Sequence, residues 1–85
     1  MKLFYRVDPA EYPDLMRRIR DKFGLHEDID EEKTMLNKED QSQIETVVGS
    51  YDPTTDNTAQ VRVVLNDPSL REEFDAILGE PYLIK

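Results

Sequence analysis

Eighty-five residues allow one domain, and a formal net charge of −8 disfavours non-specific attachment to nucleic acid or to an anionic membrane. Hydrophobic residues make up 38% and charged residues 35%, yet the apolar positions fall into patterned clusters that a disordered chain lacks. There is no cysteine, which excludes a disulfide framework and a thiolate metal site.

The opening residues MKLFYRVDPAEY hold no signal-peptide apolar region, and no run approaches the roughly 18 apolar residues of a membrane span. The expected location is therefore the cytoplasm. Residues 2–7, KLFYRV, mix β-branched and aromatic side chains and predict a strand ended by Asp8-Pro9. Tyr12, Leu15, Met16, Ile19 and Phe23 follow at the spacing of one helical face. Asp8 can cap this helix, with Pro9 in its first turn and Glu11 completing a capping box. Pro13 disfavours helical geometry at Tyr12, so the alternative is a turn over residues 8–12 and a helix from Pro13. Gly24 supplies the stop.

Residues 25–42, LHEDIDEEKTMLNKEDQS, have no strand pattern and are expected to form an acidic loop or a short helix. Glu27, Asp28, Asp30, Glu31, Glu32, Glu39 and Asp40 oppose two lysines there, so this stretch carries five of the eight net negative charges. Residues 43–51, QIETVVGSY, predict a strand in which Gly49 marks a bulge or a close backbone approach. DPTTDNT over 52–58 is turn chemistry, and AQVRVVL over 59–65 predicts the next strand. Asp67-Pro68 opens a second helix with Leu70, Phe74, Ile77 and Leu78 on its apolar stripe, Gly79 stops it, and PYLIK offers a last short strand.

The order βαββαβ predicts an α+β domain over residues 1–85 of ferredoxin-like type. Its antiparallel sheet would have four strands, with two helices on one face and the acidic insertion between the first helix and the second strand. A weak internal echo accompanies it: Val7-Asp8-Pro9 and Asn66-Asp67-Pro68 both join a strand to a helix, and at the same offset Leu15 matches Phe74 and Ile19 matches Leu78.

Four constellations bear on function. His26 with Glu27, Asp28, Asp30, Glu31 and Glu32 is rich in oxygen ligands, but it lacks the central glycine of a calcium loop and a second histidine at ligand spacing, so neither a metal nor a cofactor is expected. Asp8 sits where a metal-dependent enzyme of this fold could hold a catalytic carboxylate, yet capping already explains it. KLFYRV loosely resembles the first-strand signature of RNA recognition motifs, whereas VRVVLND lacks the glycine and aromatic platform of their third strand. Arg17, Arg18, Arg20 and Lys22 form a basic helix face beside the acidic segment.

The leading expectation is a small, non-enzymatic, acidic protein-binding module of the kind found in phages and mobile elements. As an inhibitor or adaptor, it would place Glu27, Asp28, Asp30, Glu31, Glu32, Glu39 and Asp40 on the basic surface of a larger protein. If that surface normally holds nucleic acid, the carboxylates would imitate phosphates; no direct contact of this chain with nucleic acid or membrane is expected. The alternative is a homodimeric structural or regulatory domain. Alternation turns Leu3, Tyr5, Val7, Val61, Val63 and Leu65 toward the helices and leaves Phe4, Val64, Val47 and Tyr51 on an uncovered face with Arg6 and Arg62.

Overall fold

In the computed structural model, which describes residues 1–29, 33–37, 42–51 and 58–85, two helices and a six-stranded antiparallel sheet form an α+β fold. The strands are β1 (Lys2–Val7), β2 (His26–Ile29), β3 (Lys33–Asn37), β4 (Ile44–Ser50), β5 (Ala59–Leu65) and β6 (Leu83–Ile84). Helix α1 (Tyr12–Phe23) links β1 to β2, and α2 (Arg71–Leu78) lies between β5 and β6. The sheet order is β2-β3-β4-β5-β1-β6. After α1 the chain thus reaches one edge of the sheet and returns strand by strand to pair β5 with β1.

This corrects the four-stranded ferredoxin-like expectation. The four strands foreseen are present as β1, β4, β5 and β6, but segment 25–42 is neither a plain loop nor a helix. It supplies β2 and β3, which pair Glu27 with Leu36 and Asp28 with Met35. β3 in turn pairs with β4 through Leu36–Val47 and Met35–Val48. Leu25 and Leu36 are buried in the main core, which ties this hairpin to the rest of the sheet.

The core lies between the sheet and the helices. Strict alternation along β1 and β5 buries Leu3, Tyr5 and Val7 against Ala59, Val61, Val63 and Leu65, as the pattern predicts. Leu15, Met16 and Ile19 of α1 and Phe74 and Leu78 of α2 cover them. Leu70 and Ile77 pack against the core from partly buried positions. The rings of Phe23 and Phe74 stack with centroids 4.5 Å apart and lock the two helices together.

The helix starts divide the two predicted caps. Asp8 accepts a hydrogen bond from the Ala10 N–H at 2.8 Å, while its carbonyl oxygen accepts from the Glu11 and Tyr12 N–H groups. It therefore closes a turn, and α1 begins at Tyr12 with Pro13 in its first turn. Asp67 caps a 3₁₀ turn, Pro68–Leu70, that leads into α2. Its carboxylate accepts from the Ser69 hydroxyl at 2.7 Å and the Ser69 N–H at 3.0 Å, and these bonds hold it below the usual carboxylate range. The Asp-Pro echo is real as local geometry, since both aspartates bind the N–H two residues on. At the other end of α1, Gly24 adopts φ +65°, which ends the helix in the left-handed region that favours glycine.

One buried polar group faces the core. Tyr5 is fully buried and its hydroxyl donates to Asp75 Oδ1 at 2.7 Å, while Asp75 also pairs with Arg71 at 3.3 Å. Burial, and then the neighbouring carboxylate, push the Tyr5 phenol well above its ordinary value of 10.0. The unfolded chain therefore loses this proton first. The stability tied to Tyr5 should persist below about pH 10 and fall as the pH rises beyond it. Tyr5→Phe should cost about 1–2 kcal/mol at neutral pH and flatten that alkaline decline. Denaturant titrations at neutral and alkaline pH would check both effects; an equal decline in the variant would assign the alkaline loss to other groups.

Candidate functional site: an acidic edge and a basic aromatic face

The sheet leaves two surfaces for recognition, because the helices occupy one of its faces. The first is the β2 edge. Glu27 stands there in register with Leu36, and its Oε2 accepts from Arg20 Nη1 at 3.2 Å. Arg20 Nε is shared with Asp21 at the same distance, so one guanidinium of α1 answers two carboxylates. Both Arg20 and Glu27 are more than a third exposed, which keeps this pairing weak. Asp28 is the next residue of β2. The predicted partner-binding residues Asp30, Glu31, Glu32, Glu39 and Asp40 lie outside the described residues.

The basic helix face is partly engaged locally. Arg18 pairs with Asp14 one turn back at 3.1 Å, between well-exposed side chains. A groove of about 410 Å³ runs between α1 and the hairpin, lined by Tyr12, Met16, Arg17, Arg20, Glu27 and Leu36. It brings the acidic edge and the basic helix side by side, so part of the charge contrast read in the sequence is satisfied within the chain.

The second surface is the sheet face opposite the helices. In register across it stand Phe4, Arg62, Val48 and Met35, followed by Arg6, Gln60 and Ser50. Phe4 and Val64 are half-buried there, as alternation predicts. Val47 and Tyr51 are not on this face. Val47 pairs with Val63, is fully buried and belongs to the helix-side core, while Val48 takes the uncovered position. Tyr51 packs its ring 6.4 Å from that of Tyr12, a residue of α1. A register shift between Ile44 and Thr46 sets this parity, so the irregularity in β4 lies there and not at Gly49.

Sequence reasoning missed Tyr82 as part of this face. Its ring lies 6.4 Å from Phe4, and the Arg6 guanidinium sits over it at 4.2 Å. Lys85 Nζ lies 5.7 Å from the Phe4 ring. A depression of about 180 Å³ opens beside these groups, lined by Phe4, Val48, Ser50, Gln60, Arg62 and Tyr82. Pairing of β6 with β1 brings Tyr82 there, a contact between chain positions too distant for any local pattern to signal.

Among the described residues, no group of three or more histidine, cysteine, aspartate or glutamate side chains comes together to hold a metal ion. Asp8 is exposed and its carboxylate is taken by the turn it closes. No helix of the described residues is long and apolar enough to cross a membrane. No protein-family model, curated protein or solved structure matches the chain.

Proposed function

We propose that the protein is a small binding module, an inhibitor or adaptor, that lays its acidic β2 edge on a basic surface of a larger cytoplasmic protein. The observation that carries this reading is the position of Glu27 and Asp28, the first carboxylates of the acidic segment, on an edge strand. β2 pairs with β3 on one side and, among the described residues, has no further strand on the other. An edge combines an accessible backbone with side chains free to approach a partner. Carboxylates spaced along such an edge suit arginines and lysines, including those that otherwise hold phosphates. On this reading Asp8 is a turn cap and has no catalytic role.

Site-specific photo-crosslinking tests the proposal. A photoreactive side chain would replace Asp28 in one preparation and Glu72, on the exposed surface of α2, in another. Irradiation in host extract should give a discrete adduct from position 28 and none from position 72. Equal adducts from both positions, or adducts from position 72 alone, would remove the β2 edge as the docking surface.

A further inference from the structure

We infer that the uncovered sheet face is a second docking surface, for a short acidic protein segment that anchors one apolar side chain. This goes beyond the acidic-edge reading, because it concerns the opposite charge and another part of the sheet. Phe4, Val48 and Tyr82 line the depression, and Arg62 stands at its rim in register with Phe4. The Arg6 guanidinium sits over the Tyr82 ring at 4.2 Å, which holds it beside the depression as a cation that a carboxylate can meet. Among the described residues, no carboxylate pairs with Arg6, Arg62 or Lys85. In a chain of net charge −8, the gathering of Arg6, Arg62 and Lys85 around Phe4 and Tyr82 is a local concentration of positive charge.

Charge complementarity selects the occupant. A second copy docked face to face would set Arg6 and Arg62 against the same residues of its partner, and like charges across an interface cost affinity. A single strand of nucleic acid would meet the cations, but a polyanion is repelled by the overall charge, and the Arg6 guanidinium already covers Tyr82 as a stacking platform. An acidic peptide brings few charges, places them on the arginines, and fills the apolar depression with one side chain.

The test uses the full chain labelled with ¹⁵N and three probes: a peptide of one leucine flanked by glutamates, its lysine counterpart, and a short oligothymidylate. The glutamate peptide should shift the amide signals of Phe4, Arg6, Arg62 and Tyr82 in a saturable way. Arg6→Glu with Arg62→Glu should weaken it by about tenfold or more, and salt should weaken it on the wild-type chain without any mutation. The lysine peptide reads the acidic edge instead, through Glu27 and Asp28, so failure there leaves this inference standing and the converse also holds. No saturable shift from the glutamate peptide would overturn the inference. So would tighter binding of oligothymidylate at the same residues, or a salt-sensitive oligomer of the wild-type chain whose interface is this face.

Discussion

Replacing Gly49 by valine is expected to destabilise the protein by about 3 kcal/mol, although valine is far the better strand former. Gly49 lies in β4 opposite Val61 and faces α1. A Cβ built there would overlap the Tyr12 hydroxyl and come within 2.8 Å of two carbons of the ring. The phenol therefore lies on bare backbone, and Tyr12 reaches the core edge only because residue 49 has no side chain. Valine would push the ring away from its packing and shift the start of α1. Even alanine at this position should cost about 1–3 kcal/mol. The diagnostic experiment is a double-mutant cycle, measured by denaturant unfolding. Tyr12→Ala removes a half-buried ring at modest cost, and in that background Gly49→Val should become neutral or stabilising. A cost for Gly49→Val that is unchanged by Tyr12→Ala would mean the clash is not the cause.

Gly49 also illustrates how far the sequence could be read. A glycine inside an otherwise β-branched run signals a bulge or a close approach, and the close approach is what the fold contains. The partner in that approach, Tyr12, comes from another element and leaves no mark near residue 49. β1 and β5 were legible from end to end because in each every second residue is buried over its whole length, with exposed or half-buried residues between. The doublet Val47-Val48 was not, since two apolar neighbours fit either parity. Only the shift between Ile44 and Thr46 decides between them.

The hairpin of β2 and β3 was hidden for a different reason. HEDI and KTMLN are short, and acidic residues are depleted in strands, so local propensity speaks against them. What makes them strands is tertiary. Leu36 is buried beside Val47, and once β3 has joined β4, β2 completes the ladder by pairing with β3. The acidic character itself was legible, and so was half of the uncovered face, through Phe4, Val64, Arg6 and Arg62. Tyr82 and its stacking with Arg6 required the return of the chain to β1 after α2.

The second large effect concerns the carboxylates of the acidic segment that begins in β2. Changing Glu27, Asp28, Asp30, Glu31 and Glu32 together to their amides removes five negative charges from a chain of net charge −8. The fold should survive with its stability changed by no more than about 0.5–1 kcal/mol, because the pairing of Glu27 with Arg20 is exposed and weak and the mutual repulsion of five like charges is relieved. Binding should not survive so well. Toward a basic partner the variant should lose about tenfold or more in affinity, mainly through a slower association rate. The most direct measurement is therefore the affinity of wild type and variant for the partner cross-linked through position 28, followed across added salt. Wild-type affinity should fall steeply as the Debye length contracts from about 10 Å toward 3 Å, and the variant should give a weak, nearly flat line. Equal affinities with equal salt slopes would contradict the account: these five carboxylates would then be merely solvated, and the partner would be held elsewhere.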